Sequence, residues 1–508
     1  MIDAIVAHAR RSLRFRRRAR AFARVGLWGN MRRSPLGHHP MPYPPRLVVA
    51  SLLLASLLAP GTGAAATPPN ILYITVDDLG WKDVGFHGGA VRTPALDGLA
   101  AEGMRLEQFY VQPFASQTRA AAMTGRYPMR YGFQTLQIQW FSRFGLPPDE
   151  RLLPEALREA GYYTALIGKW QLGHATQTQW PTHRGFDYFY GHLAGEIDYF
   201  RRVNRGGQSD WHRNDKPVKE EGYATSLMAR DAVRLIERST SAKPLFLWLA
   251  FAAPQAPLQA PRDWIQRNAD AANDDIRTYR AMIGAVDAAI GDVLAALERR
   301  GMRRDTALLF HSTTGGALRT KYATGDGDAR ANVADNGPLR EGKGSLYEGG
   351  LRVTALIAWP GRVEPGVVLE PMHAVDLYPT LLKLAGAKVE QPKPIDGVDV
   401  WPAITEGKAL ARKELLLNVE DFRGALRAGD WKLIRTATLP SRSELYNVRT
   451  DPSEEDNQAD REPARVQAML ERLSQYAWEM VPSRYLEDMA RPHSVEVPIY
   501  WYDNPPRP

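Results

Sequence analysis

Short apolar runs alternate along most of this 508-residue chain with longer stretches whose apolar residues recur every three or four positions. ILYITV, Ile71 to Val76, is apolar almost throughout and rich in β-branched residues, the pattern of a strand buried on both faces of a parallel sheet. PLFLWLAF (Pro244 to Phe251), TALLFHS (Thr306 to Ser312) and TALIAW (Thr354 to Trp359) repeat it. Between these runs Leu152 to Ala160, Tyr223 to Glu237, Asp275 to Arg300 and Asp376 to Gly386 carry helical spacing. Alternating strand and helix predicts an α/β fold with a mostly parallel central sheet sandwiched by helices. In such sheets ligands bind beyond the carboxyl ends of the strands, so Asp77 and Asp78, which follow the first run, fall where a site is expected.

The pattern changes after a Pro-rich connector at Gln391 to Pro394. ALRAGDWKLIR and SELYNVRTDPSEEDNQA read as short strands with turns, and Ala464 to Met480 as a helix. The expected organisation is a leader over 1–66, an α/β domain over 67–390, and a C-terminal α+β subdomain with a tail over 391–508.

Charge sharpens the picture of the leader. Residues 1–46 hold 11 Arg against the single acid Asp3, a net +10 in a chain of net +8, so the remainder carries −2. A near-neutral body leaves no global basic field, and a nucleic-acid partner is not expected. Arg46 precedes the 13-residue apolar run Leu47 to Ala59, and small residues follow at Ala64 and Ala66. This is the layout of an export signal cleaved after Ala66. The run falls short of the roughly 20 residues that span a bilayer, so no membrane span is expected in the mature chain. Met41 offers a better start for that signal than Met1. The chain has no Cys and no Asn-x-Ser/Thr sequon, so the expected location is the bacterial periplasm.

The candidate chemistry lies in a series of short motifs. DDLGWKDVGFHG begins at Asp77, FASQTRAAAMTGRYP at Phe114, GKWQLG at Gly168, RGFDYFYGH at Arg184, SLYEGG at Ser345, GDWKLI at Gly429 and ELYN at Glu444. From about Pro69 to Ala459 the chain resembles the sulfatase family, of the arylsulfatase type within the alkaline-phosphatase-like superfamily. The resemblance implies that family's fold, with a small C-terminal antiparallel sheet and packed helix. It also implies a site in which a Cys or Ser, matured to formylglycine, attacks a sulfate ester. One calcium or magnesium ion is held there by three Asp, one Asn and the formylglycine, while Lys, Arg and His polarise the sulfate.

By that resemblance Asp77 and Asp78 stand at metal-ligand positions, and Arg119, Lys169 and Lys343 at anion-binding positions. The remaining positions are replaced. Ala115 stands at the nucleophile, Gln171 and Gln255 at the two His, Thr313 and Thr314 at the Asp-Asn metal pair, and Gln117 at the motif's usual Pro. An alanine methyl cannot be oxidised to formylglycine, so none is expected. Glutamine does not titrate near neutral pH and cannot act as a general acid. Two neutral hydroxyls in place of Asp and Asn leave at most weak calcium binding.

The neighbours offer little rescue. Ser116, one residue on, is turned by about 100° on a helix. His311 faces the other side of its strand by two-residue alternation, and Asp335-Asn336-Gly337 reads as a loop turn. The sequence therefore points to a pseudo-sulfatase that binds a sulfated or phosphorylated small molecule or glycan without hydrolysing it. Two alternatives stay open. One is an active sulfuric ester hydrolase with a rearranged site. The other is a partner subunit of an active sulfatase, with the aromatic tail Ile499 to Pro506 as a contact surface. The loop Thr324 to Asn336 is the expected ligand-choosing element.

Overall fold

The computed structural model describes residues 68–240, 242–318, 332–389 and 391–491. The expected leader with its cleavage site, the tail segment Ile499 to Pro506, and the loop Thr324 to Asn336 up to residue 331 lie outside the described residues. From Pro68 onward the chain forms one compact unit.

The central sheet has ten strands: β1 (Asn70–Val76), β2 (Met104–Leu106), β3 (Tyr163–Lys169), β4 (Tyr188–His192), β5 (His212–Arg213), β6 (Lys216–Pro217), β7 (Leu245–Ala250), β8 (Thr306–Ser312), β9 (Ala355–Ala358) and β10 (Gly366–Val368). Their order is β10-β2-β9-β8-β1-β7-β3-β4-β5-β6. The five strands β8-β1-β7-β3-β4 run parallel, and antiparallel pairs flank them on both sides. The TALIAW run is thus a strand of reversed direction, since β9 pairs antiparallel with β8.

Residues alternate strictly between the two faces of this sheet. Leu72, Ile74, Leu247, Leu249, Leu308 and Phe310 pack on one side with α1 (Pro94–Glu102) and, further along the chain, the helices at Ala224–Arg238 and Asp274–Arg299. Ile71, Tyr73, Phe246, Trp248 and Leu309 pack on the other with α2 (Ala115–Thr124) and α3 (Leu153–Glu159). The two later helices of the first face are α4 (Ala224–Arg238) and α5 (Asp274–Arg299), and α6 (Leu377–Leu384) joins the second face. Both faces are covered, which is why the parallel strands are apolar runs without a polar side. Asn273 caps α5 through its side-chain oxygen, 2.8 Å from the Ile276 amide, which fixes where that long helix begins.

Beyond the connector, β11 (Glu414–Val419), β12 (Arg423–Ala428), β13 (Trp431–Thr436) and β14 (Arg442–Asn447) form an antiparallel meander. The helix α7 (Pro463–Glu479) buries Met469 and Leu473 against it. This sheet is tied by side chains to the rest of the unit: Lys432 of β13 reaches Glu348, at the start of a short helix, and Arg427 of β12 reaches Tyr110, on a separate three-stranded sheet.

Candidate functional site

Four parallel strands and one helix deliver most of the site. β1 ends in Asp77-Asp78, β3 ends in Lys169, β8 runs into Thr313-Thr314, and Gln255 follows β7, all at the carboxyl edge of the sheet. α2 starts at Ala115 beside that edge, is buried along its whole length, and carries Arg119 one turn in. Two glycines make this close approach feasible. A Cβ on Gly168, at φ +118°, would collide with the Ala250 carbonyl, and one on Gly125, at φ +68°, would lie 2.9 Å from Cβ of Tyr378.

The side chains converge. Asp77 Oδ1 accepts from Arg119 Nη2 at 2.8 Å and from the Thr313 hydroxyl at 2.6 Å, while Asp77 Oδ2 accepts from Lys169 Nζ at 2.5 Å. Asp78 Oδ1 accepts from the Thr314 hydroxyl at 2.9 Å, and Asp78 Oδ2 from Lys343 Nζ at 2.7 Å. Lys169 also donates to Gln255 Oε1 at 2.7 Å, and Arg119 to the Lys169 carbonyl at 2.9 Å. Asp77, Arg119 and Lys169 are sealed from solvent, whereas the Lys343 side chain keeps 13% of its exposure. Asp78 and Gln171 hold left-handed backbone, at φ +62° and +54°, which Asp tolerates better than most residues.

Electrostatics follows the pairing. Burial pushes the Asp77 carboxyl up, but Arg119 and Lys169 outweigh it and hold the group well below the usual carboxylate range. Burial lowers Lys169, and Arg119 and Lys343 reinforce that while Asp77 opposes it. For Lys343 the balance goes the other way: burial would lower it, but the Asp78 carboxylate raises it above the ordinary lysine value. The five charges sum to +1.

A divalent cation does not fit this donor set. All four carboxylate oxygens of Asp77 and Asp78 already accept from N–H or O–H groups of the chain. Thr313 and Thr314 direct their protons, rather than lone pairs, at those oxygens. An ammonium and a guanidinium supply the counter-charge that a metal would bring. Among the described residues no group of three or more His, Asp or Glu could hold a metal ion.

Ala115, expected from the resemblance at the nucleophile position, is a buried methyl at the start of α2. The Ser116 hydroxyl accepts from the Ile138 amide at 3.1 Å, and Gln171 Nε2 donates to the Ile138 carbonyl at 3.1 Å, so both are tied to the same loop. His311 does not face away as alternation was expected to turn it: it lies on the α2 face of β8 with Leu309, its Nε2 2.7 Å from the Tyr73 hydroxyl, and burial lowers it to about 4. Asn336 spans the Gly316 amide and the Gly316 and Glu341 carbonyls, and Asp335 closes a turn onto the Gly337 amide. That segment is loop architecture.

Several contributors escape a reading by motif. His192 is the register partner of Lys169 on β4, buried, and lowered by that burial to about 4, so it stays neutral near pH 7. Trp248, inside an apolar strand, lies 5.4 Å from the Arg119 guanidinium, and Tyr199 donates to the Gln255 carbonyl at 2.8 Å. His192 closes the YGH motif, which was the available signal. Trp248 and Tyr199 gave none beyond their bulk.

A polar, cation-rich cluster at the carboxyl edge of a doubly covered α/β sheet, beside a buried helix N-terminus, defines the scaffold class of the alkaline-phosphatase-like ester hydrolases. The sulfatase family model matches residues 69–387, and a model for the C-terminal region of N-sulphoglucosamine sulphohydrolase matches 342–478. The chain belongs to the sulfatase family. It is 32% identical over 482 residues to arylsulfatase J of Mus musculus, covering 84% of this chain and 79% of that protein. It is 35% identical over 385 residues to N-acetylgalactosamine-6-sulfatase of Canis lupus familiaris, covering 71% of each. Among solved structures, Ps i-CgsB in complex with k-i-k-neocarrahexaose superposes with a TM-score of 0.75 at 32% identity, over 84% of this chain and 99% of that one. Among the described residues no helix is long and apolar enough to cross a membrane.

Proposed function

We propose that this protein is a pseudo-sulfatase, exported to the bacterial periplasm, that holds a sulfate or phosphate ester without hydrolysing it. One observation carries the reading: the nucleophile position is a buried methyl, and the two remaining metal-ligand carboxylates are neutralised by Lys169, Lys343 and Arg119. Hydrolysis needs an attacking group, a proton for the leaving oxygen and a Lewis acid on the ester oxygens. Ala115 removes the first, Gln171 and Gln255 the second, and the internal ion pairs the third.

Binding is better provided for. The cluster keeps an excess positive charge, and Gln255 Nε2, Gln171 Oε1 and both amide atoms of Gln117 are buried without a hydrogen-bond partner. Buried polar atoms in native proteins are nearly always satisfied, so these four fit a site that receives a polar group from outside. Lys343, the most exposed of the cations, can exchange Asp78 for an incoming oxyanion at little cost. The names of the relatives, N-acetylgalactosamine-6-sulfatase and a neocarrahexaose-bound sulfatase structure, make a sulfated sugar the natural ligand class. The test is hydrolysis of chromogenic aryl sulfates and phosphates with and without calcium, beside an Asp77→Ala control, together with calorimetric titration of a sulfated oligosaccharide. Binding without turnover is expected. Turnover that Asp77→Ala abolishes would overturn the reading.

A further inference from the structure

The opposite edge of the central sheet carries a second feature. A groove of about 760 Å³ opens where β3, β4 and β7 begin, floored by Tyr163, Tyr188 and Leu245, the first residues of those strands. The C-terminal half of α4 and the approach to β7 form its wall, which brings Arg234, Arg238 and Lys243 to the rim, with Arg213 of β5 beside them. The length of β3 separates this groove from Lys169, six residue steps or about 20 Å. It is therefore distinct from the cluster around Asp77.

Four cations line this groove against one acid, Asp231, in a body whose net charge outside the Arg-rich leader is −2. Asp231 is buried and already engaged. Its Oδ1 accepts from Arg213 Nη1 and Arg234 Nη2, each at 2.8 Å, and its Oδ2 from the Tyr188 hydroxyl at 2.6 Å. Glu220 backs Arg213 from behind at 3.2 Å. These bonds fix two guanidinium planes in place. Arg238 and Lys243 are exposed, and no ion pair engages either of them among the described residues. The arrangement thus holds Arg213 and Arg234 in place on Asp231 and adds two exposed cations, Arg238 and Lys243, able to meet an oxyanion beside the rings of Tyr163 and Tyr188.

We infer that this groove is a second binding site, for a sulfated segment of a glycan chain. The inference rests on the proposed function for its ligand class, but not on the pocket at Asp77 for its contacts. A sulfated glycan is favoured over a nucleic acid because the body outside the leader carries a net −2, which opposes a polyanion extending beyond the groove. A glycan seated in both sites would be anchored at two points, which raises retention on a polymer without any new contact at either one.

Calorimetric titration of the full chain with k-i-k-neocarrahexaose tests it, with the desulfated hexasaccharide and a single-stranded DNA hexamer as controls. Two binding events are expected for the sulfated sugar. The Arg238→Ala/Lys243→Ala double variant, exposed at both positions and so expected to fold, should weaken one of them about tenfold, the loss of two charge-assisted contacts. Lys343→Ala should weaken only the other. A sulfated sugar bound solely at a site sensitive to Lys343→Ala overturns the groove and leaves the proposed function standing. Binding sensitive solely to the double variant supports the groove and counts against the pocket at Asp77. Absence of binding, or equal binding of the DNA or the desulfated sugar, overturns the inference.

Discussion

Two buried charge clusters, one at the carboxyl edge of the large sheet and one where the small sheet meets it, are built from the same kinds of groups to different ends. In the second, Lys432 Nζ lies 2.9 Å from Glu348 Oε1 and 2.9 Å from Glu454 Oε1, all three side chains being sealed from solvent. Tyr110 donates to Glu348 Oε2 at 2.8 Å, and the Glu348 amide donates to Glu454 Oε2 at 2.6 Å. Three of the four carboxylate oxygens there accept a hydrogen bond from the chain, and the fourth, Glu454 Oε1, has only its ion pair with Lys432. At the edge cluster all four are met, yet Gln117, Gln171 and Gln255 leave amide atoms over. The Lys432 cluster joins two parts of the fold, and its one unbonded acceptor, Glu454 Oε1, is held against the Lys432 ammonium. The Asp77 cluster keeps the outline of a site: its charges are closed on one another, and the polar atoms around them are not.

The largest expected effect separates the two by stability. Lys432→Met leaves two buried carboxylates with no ammonium between them and should cost about 3–5 kcal/mol, read by urea unfolding. Lys169→Met should cost less, about 1–3 kcal/mol, because Asp77 retains Arg119 and Thr313. Equal losses would mean that the edge cluster has become structural in the same sense as the other, and the distinction would fall.

The fold was legible where strands are buried on both faces. β1, β7, β8 and β9 are unbroken apolar runs, and α4, α5 and α6 fall within a few residues of their sequence-based limits. β3, YTALIGK, was not read as a strand, because a glycine and a terminal lysine interrupt its apolar pattern. Both serve the site, Gly168 by letting β7 approach and Lys169 by ending on Asp77. ELLLNV, now β11, also escaped, since an apolar run that short fits a buried helix as well. The family resemblance named candidate site positions, but not their state. The sequence suggested a basic anion pocket of Arg119, Lys169 and Lys343. The fold pairs Arg119 and Lys169 with Asp77 and Lys343 with Asp78, and contacts such as Lys343 to Asp78, 265 positions apart, follow from topology rather than from any local pattern.

Calcium sharpens the comparison next. The native chain should show no change in melting temperature between calcium and chelator at the edge cluster, because its carboxylate oxygens are taken. The triple variant Thr313→Asp/Thr314→Asn/Lys343→Ala restores a carboxylate and an amide oxygen and removes the ammonium from Asp78. Calcium at about 100 times its dissociation constant would then stabilise it by about 2.7 kcal/mol, read as a rise of several degrees in melting temperature. A native chain that is itself stabilised by calcium would show that the ion pairs yield to the metal.

The smallest effect is a difference in sign with pH. Asp77 sits below its unfolded value of 3.8, so the stability it contributes is present above that pH and is lost as pH falls below it. At the other cluster, burial and the neighbouring Glu348 raise Glu454 from 4.5 to about 7, although Lys432 opposes them. Between these values the folded protein binds more protons at Glu454 than the unfolded chain does, so stability falls as pH rises from about 4.5 to 7. Asp83 and Asp287, raised to about 6 by burial, and Glu420, raised to about 7, act in the same direction, so the total slope does not isolate one group. The difference between the native chain and Glu454→Gln does. Glutamine keeps the shape and an acceptor for the Glu348 amide but cannot titrate. The variant's unfolding free energy should therefore be flatter across pH 4.5 to 7 by about 1–2 kcal/mol. A difference that stays level across pH 4.5 to 7 would mean that Glu454 does not titrate there, whereas below pH 3.8 Asp77 shares the slope with other lowered carboxyls, Glu348 beside Glu454 among them.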